Sequence, residues 1–203
     1  MKRDFVPSTD NEINSLLNFT AEIDKMTHIE RRTLLVDGSR RENDAEHSWH
    51  IATMALLFRE FAPEGADIER AVKMCVVHDL VEIYAGDTFA YDQSGNKTKE
   101  EREKESAKKL FSKLPEKIGE ELNALWVEFD KMQTPTAKYA ACMDRVQPIL
   151  HNILTSGHSW KEHGVKKEQV LSRVEVVKET IPKLWDWISK NLDAAVREGF
   201  LKP

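Results

Sequence analysis

The stretch Met74–Glu82 reads Met-Cys-Val-Val-His-Asp-Leu-Val-Glu and places an imidazole beside a carboxylate at the end of an apolar run. A carboxylate buried among apolar side chains is unfavourable unless it is paired or bound to a cation. A divalent metal ion would offset that penalty, so the pair His78-Asp79 is a candidate metal site. Because a lone His-Asp pair also occurs by chance, the prediction depends on what accompanies it elsewhere in the chain.

Two further residues of metal-binding type lie on other apolar helical segments. His47 lies one predicted helix before the pair and shares a stripe with Ile51 and Phe58, and Asp144 lies two or three helices after the pair. A single histidine on an apolar stripe is more often a hydrogen-bonded core residue. Two histidines and two aspartates on inward faces of three helices instead favour a metal site, which helical bundles commonly build from converging side chains.

The nature of the ligands leaves the identity of the metal open. Two imidazoles and two carboxylates accept one divalent ion, which can be manganese, cobalt, iron, nickel, zinc or magnesium. Asp144 also shares a helical face with Gln147 and His151, bordered by Val146 and Leu150. The remaining histidines are interpreted as structural or surface residues, since no pattern groups them: His50, His151, His158 and His163.

Composition limits the partners and the compartment. The 203 residues fit one domain spanning 1–203, with 40% apolar and 32% charged residues. The net charge of −5 argues against a nucleic-acid polymer as partner, and no segment is apolar for long enough to span a membrane. Two cysteines, Cys75 and Cys142, lie in apolar helical segments and predict reduced, buried thiols. We therefore expect a cytoplasmic protein.

Helical periodicity through almost the whole chain predicts one compact all-α domain without a sheet. A turn is expected at 37–39, a break at 63–65 and a loop over 85–97. Asn43 or Asp44 should cap the second helix, Thr98 with Glu101 matches a capping box, and Pro182 should kink or break the last helix. The predicted helices run from about 10 to 26, 44 to 61, 67 to 84, 98 to 114, 115 to 129, 135 onward, and 167 to 196.

These residues resemble the signature of the HD-domain superfamily of metal-dependent phosphohydrolases, in the branch that contains the bacterial 5'-deoxynucleotidases. The resemblance covers roughly residues 12–155, with core motifs at about 28–150. It is carried by four stretches: 41–48, 78–87, Lys97 with the Glu-rich run from Glu100, and 143–145. It implies a helical HD domain with a metal site between its helices.

The resemblance also implies roles for individual residues. The metal ligands would be His47, His78, Asp79 and Asp144. Glu82 would orient or deprotonate the attacking water, and Asp87 would contact the sugar or the water network beside the phosphate. Arg31 or Arg32 would hold the 5'-phosphate, and Lys97 would also contact the substrate. Bacterial relatives carry a Trp near this Arg that helps to reject ribonucleotides; here the sequence reads Arg-Arg-Thr-Leu over 31–34, so the preference between deoxyribose and ribose is open.

The expected activity is hydrolysis of a phosphomonoester, above all a nucleoside 5'-monophosphate, by a water that the metal activates. Two alternatives are a hydrolase of a cyclic or pyrophosphorylated nucleotide and a non-catalytic helical metal-binding module. The resemblance further implies a homodimer. Four apolar residues near the C-terminus offer a surface for it, although core packing is the expected role of the two tryptophans: Trp185, Trp187, Phe200 and Leu201.

Overall fold

The structure is a computed structural model and describes residues 4–92 and 94–203. Its elements in chain order are α1 Asn11–Ile23, β1 Glu30–Leu34, β2 Arg41–Asn43, α2 Asp44–Leu57, α3 Ile68–Val77, α4 Glu82–Ala85, α5 Asn96–Phe111, α6 Glu116–Lys131, α7 Pro135–Leu154, α8 His158–His163, α9 Lys167–Arg173, α10 Glu175–Thr180 and α11 Pro182–Arg197. Short 3-10 segments follow α1 and α2. The all-α prediction is confirmed, since helices form almost all of the regular structure.

Helix α7 lies at the centre of the fold and is buried along most of its length. It packs against α2, α3, α6, α10 and α11, and also against the hairpin strand β1. The hydroxyl of Tyr139, a fully buried residue, donates a hydrogen bond to the Ala55 carbonyl of α2 at 2.7 Å. Because α2 and α3 pack against each other as well as against α7, polar side chains on the facing surfaces of these helices converge inside the protein.

The expectation that the chain contains no sheet is wrong for residues 30–43. Strands β1 and β2 form a small antiparallel hairpin in which Glu30 pairs with Asn43 and Leu34 with Arg41. The predicted turn between them is present, and Gly38 adopts a positive φ of 72° there. The strands are too short and too polar to show alternating hydrophobicity, and packing of β1 on α7 and α8 supports them instead.

The third predicted helix, 67–84, is also shorter than expected, because α3 ends at Val77. The amides of Leu80 and Glu82 bond to the carbonyls of Val77 and Asp79, which are tightened turns of the i to i+3 kind. The short helix α4 then ends at Gly86, whose φ is 75°. This irregular segment takes His78 and Asp79 off the regular helix and allows both of these neighbouring side chains to face the same interior space.

Helix starts agree with the sequence in some places and differ in others. Asn43 caps α2 in a reciprocal capping box with Glu46, and Thr134 caps α7. Helix α5, however, begins at Asn96 with no side-chain cap, so the predicted capping box at Thr98 is wrong.

The last helical stretch breaks before Pro182 as expected and also at 174, and the short helix α8 was not predicted. None of the helices in the described residues is long and apolar enough to cross a membrane.

Candidate active site

The four predicted metal ligands meet where α2, α3 and α7 pack together. His47 lies in the first turns of α2, His78 follows the last residue of α3, and Asp144 lies in the middle of α7. His47 Nε2 is 3.1 Å from Asp144 Oδ1 and 3.9 Å from Asp79 Oδ2. His78 Nε2 is 3.0 Å from Asp79 Oδ1 and 3.7 Å from Asp144 Oδ1. All four residues are buried.

Hydrogen bonds orient the two imidazole rings so that both Nε2 atoms face the carboxylates. His47 Nδ1 is 3.1 Å from the side-chain oxygen of Gln147, and His78 Nδ1 is 3.0 Å from the backbone carbonyl of Cys75. Because those oxygens only accept, each Nδ1 donates, and either ring presents an Nε2 lone pair when it carries no second proton. Buried lone pairs that face carboxylate oxygens require a cation or a proton between them.

The residues present therefore fit a divalent cation. His78 Nε2 is buried and makes no contact of hydrogen-bond geometry, despite its closeness to Asp79. Nitrogen and oxygen atoms of His47, His78 and Asp144 lie within 4.8 Å of one another, which is a spacing that a single ion can bridge. Two imidazoles with carboxylates suit borderline divalent ions of the first transition series.

The electrostatics of the four side chains differ strongly. Burial, together with Arg31, lowers the pKa of His47 to about 4, so this imidazole is neutral. Burial also acts to lower the pKa of His78, but the carboxylates of Asp79 and Asp144 outweigh it and raise that pKa to about 10. The same charge interactions hold the pKa values of Asp79 and Asp144 below their usual range, against the effect of burial. Both carboxylates are therefore ionised, and His78 holds a proton that a metal would replace.

A second group of buried carboxyls adjoins these ligands. Oxygen atoms of Asp44, Asp79 and Glu82 lie within 4.8 Å of one another. Burial, reinforced by the charges of Asp79 and Asp44, raises the pKa of Glu82 well above its ordinary value, and one of its oxygens has no hydrogen-bond partner. A carboxyl with a raised pKa beside a candidate metal centre is suited to proton transfer near neutral pH.

The two neighbouring arginines of β1 occupy different environments. Arg31 Nη1 lies 2.9 Å from Asp79 Oδ2 and 3.1 Å from Asp44 Oδ1, and only 14% of its side chain is exposed. Arg32 is exposed and lines the cavity beside the carboxylates, and within the described part of the chain it has no ion pair. Arg31 is thus paired with the acidic cluster of Asp44, Asp79 and Glu82, whereas Arg32 is free to bind a ligand.

A cavity of about 210 Å³ opens onto His78, Asp79 and Asp144. Asp87, which follows Gly86, lines it, and burial raises the pKa of Asp87 while Arg31 opposes the increase. The remaining wall mixes basic and aromatic side chains, among them Arg32, Lys99, Arg145, Arg173, Phe89, Tyr91, Trp126, Phe129 and Trp160.

The structure places Lys97, the predicted substrate contact, in solvent and outside the residues that line this cavity. Lys99 lines the cavity instead, with its Nζ 3.4 Å from Glu103. Sequence reasoning also missed Arg173, which reaches from α9 to within 3.5 Å of Asp144 Oδ2. The Lys-rich run over 97–99 was a signal for the first of these residues, whereas Arg173 had no local signal because it approaches from a distant part of the chain.

Comparisons with known proteins identify the family of this chain. A profile of the HD domain matches residues 23–185. The human protein named 5'-deoxynucleotidase HDDC2 is 28% identical over 137 residues, which are 67% of this chain and 66% of the human protein. The fission yeast protein named 5'-deoxynucleotidase hdd1 is 26% identical over 112 residues, 53% of this chain and 55% of that protein. The chain therefore matches just under two thirds of the length of the human protein and about half of the length of the yeast protein.

Among solved structures, a crystal structure of a predicted metal-dependent phosphohydrolase from Magnetospirillum magnetotacticum superposes with a TM-score of 0.92. It is 44% identical, and the superposition covers 98% of this chain and 100% of that one.

Proposed function

Because this chain belongs to the HD-domain family, we propose that it is a metal-dependent phosphohydrolase whose substrate is a nucleoside 5'-monophosphate. One observation carries the proposal: four side chains of metal-ligand type converge, and three of them line the floor of a cavity whose wall holds basic residues. A cation centre beside basic side chains is the arrangement that stabilises the negative charge of a phosphoryl group in its transition state. The names of the human and yeast relatives support the choice of substrate.

His47, His78, Asp79 and Asp144 would hold the metal. When bound there, a divalent cation lowers the pKa of a water, neutralises phosphoryl charge and offsets the carboxylate repulsion around Glu82. Glu82 then accepts the proton of the attacking water at its unpartnered oxygen, Oε2. Arg31 holds the Asp79 carboxylate through its 2.9 Å contact and so keeps this ligand ionised and oriented.

The basic side chains of the wall would bind the phosphate. Arg32 is the better of the two arginine candidates, because Arg31 is already paired with Asp44 and Asp79. Lys99 replaces Lys97 in this role, because Lys99 lines the cavity. An exposed guanidinium can grip a phosphate with two parallel hydrogen bonds, which fixes the orientation of the phosphate as well as its position.

The sugar and the base would occupy the rest of the cavity. Asp87 lies on the wall and can accept hydrogen bonds from a sugar hydroxyl. The segment 31–34 contains no Trp of the kind that bacterial relatives carry near this Arg, and its residue Thr33 is buried and lines the cavity. A threonine cannot fill the space of an indole ring, so we propose that ribose is tolerated beside deoxyribose. The aromatic residues Phe89 and Tyr91 offer stacking surfaces for a base.

The experiment is phosphate release from a substrate panel by metal-stripped protein that has been refilled with manganese, cobalt, magnesium or zinc. The panel holds deoxy- and ribonucleoside 5'- and 3'-monophosphates, sugar phosphates, cyclic nucleotides and nucleoside triphosphates, with Asp79→Ala as control. Metal-dependent release from 5'-monophosphates alone supports the proposal. Turnover only of cyclic or pyrophosphorylated nucleotides favours the first alternative, and metal binding without any turnover favours a binding module.

The homodimer and the cytoplasmic location stay predictions. Trp185, Trp187 and Phe200 are half-buried and Leu201 is buried, so the C-terminal residues pack mostly inside the protomer. Large apolar side chains are instead exposed on α2, including Leu57, with 72% of its surface accessible. Sedimentation of the protein at several concentrations will determine whether two copies associate.

A further inference from the structure

We propose that Gln147 is a positioning residue that holds His47 in the tautomer required of a metal ligand. Its side chain is fully buried on α7, one turn after Asp144, and it is not among the residues that line the cavity. The inference rests on the metal site of the proposed function but not on any substrate. It concerns how the protein prepares a ligand before the metal arrives.

Four side chains surround the Gln147 amide. Its oxygen lies 3.1 Å from His47 Nδ1. Its nitrogen, which can donate two hydrogen bonds, lies near three atoms: Glu42 Oε1 at 2.5 Å, His151 Nε2 at 3.1 Å and His50 Nδ1 at 3.3 Å. Glu42, His50 and His151 were not grouped by their sequence spacing, and the structure brings them together around this single amide.

The surroundings fix which end of the amide faces His47. His151 Nδ1 lies 2.9 Å from the Leu34 carbonyl and must donate to it, so the neutral ring of His151 offers Nε2 as an acceptor. The Glu42 carboxylate accepts as well. A flipped amide would place the Gln147 oxygen against that carboxylate and leave His151 without a donor, which is unfavourable for groups buried to this degree.

A fixed amide oxygen in turn decides the tautomer of His47. With the proton on Nδ1, His47 donates to Gln147 and leaves the Nε2 lone pair free for a metal. With the proton on Nε2, His47 would donate to Asp144, which is 3.1 Å away, and would block the ligand position. The Asp144 carboxylate therefore favours the wrong tautomer, and Gln147 supplies the acceptor that opposes it.

The same cluster of Glu42, His50 and His151 has the composition of a second metal site, with ligand atoms within 4.8 Å of one another. The Gln147 nitrogen, however, lies within hydrogen-bond distance of a polar atom on each of the three residues. An amide donor already occupies the place that a cation would take. The cluster is therefore an anchor for Gln147.

The test compares wild type with Gln147→Met, which conserves length but neither donates nor accepts as the amide does, and with Gln147→Glu, which keeps an acceptor oxygen. Thr136→Val is the matched control, because Thr136 is a buried polar residue of the same helix that bonds to the Asp67 amide, away from the ligands. Long-range proton–nitrogen NMR of the metal-free protein reads the tautomer of His47, and competition with a chelator reads metal affinity.

We expect Nδ1–H for His47 in wild type, Thr136→Val and Gln147→Glu, and Nε2–H in Gln147→Met. Metal affinity should fall roughly 10–100-fold in Gln147→Met and stay unchanged in the threonine control. An Nε2–H tautomer of His47 in the wild-type protein would overturn the inference without any variant. An unchanged tautomer and an unchanged metal affinity in Gln147→Met would also overturn it. Neither readout uses substrate, so a failure of the proposed hydrolysis would leave this result standing, and the reverse also holds.

Discussion

Replacement of Arg31 by Met should destabilise the metal-free protein far more than the same change at Arg32. Arg31 makes ion pairs with Asp44 and Asp79 at 3.1 and 2.9 Å, and its Nε lies 3.8 Å from Glu42. Met keeps most of the length and the apolar stem of the side chain. The variant therefore removes the guanidinium from between three buried carboxyls with little change in packing.

Removing one partner of a buried ion pair costs about 3–5 kcal/mol, since the other charge remains without compensation. Because 14% of the Arg31 side chain is exposed, water recovers part of the loss, and we expect the lower end, about 3 kcal/mol. In a domain of this size each kcal/mol corresponds to about 2–4 °C in Tm. The melting temperature of Arg31→Met should therefore lie roughly 6–12 °C below that of wild type.

Calorimetry of metal-free wild type, Arg31→Met and Arg32→Met measures the difference. Arg32 is exposed and unpaired among the described residues, so its replacement should change stability by less than about 0.5 kcal/mol while raising KM for the nucleotide. Adding the metal should narrow the gap between Arg31→Met and wild type, because the cation neutralises Asp79 in both. Equal melting temperatures for the two arginine variants would refute the assignment of Arg31 to the acidic cluster.

Three further outcomes follow from the geometry. Glu82→Gln should keep the metal, by chelator competition, and lose about 10²–10⁴-fold in kcat; wild-type turnover would remove Glu82 from the proton transfer. Lys99→Met should raise KM while Lys97→Met leaves it unchanged, since only Lys99 lines the cavity, and equal KM values would contradict this. Burial raises the pKa of Cys142 to about 12 and that of Cys75 still further. Both stay protonated at pH 8, so a thiol reagent such as DTNB should label them only after urea unfolds the protein, and rapid labelling of the folded protein would contradict their burial.

The candidate metal ligands could be singled out because each lies in an apolar segment with a clear helical period. His47 and Asp144 occupy inward positions of regular helices, where the helical period alone places a side chain on the buried face. The break after Val77 could not be predicted, since the apolar pattern continues through it and the packing of neighbouring helices decides where the backbone tightens. The sequence therefore singled out residues that the structure brings together, although the helix on which they were placed is not continuous.

The candidate substrate-binding residues were harder to predict. The prediction of Lys97 rested on the resemblance, and only the packing of α5 shows that Lys99 lines the cavity while Lys97 is exposed. The helical period placed Gln147 on the same face as Asp144, but the role of an amide side chain cannot be predicted until its hydrogen-bond partners are known. Those partners come from β2, α2 and α7 itself, so only the folded chain reveals that they meet.

The negative charge of the site should make the metal ion bind before the nucleotide. Asp79 and Asp144 are ionised next to Asp44, Glu42 and Glu82, whose pKa values burial raises. Arg31 pairs with Asp79, and Arg173 pairs with Asp144. A phosphate that approached these carboxylates alone would be repelled, and Arg32 and Lys99 stand on the wall instead of among the ligands. A metal ion would change the sign of the local potential and attract the substrate. Nucleotide affinity should therefore depend on the metal, and a nucleotide that binds metal-free protein as tightly as loaded protein would place its phosphate elsewhere.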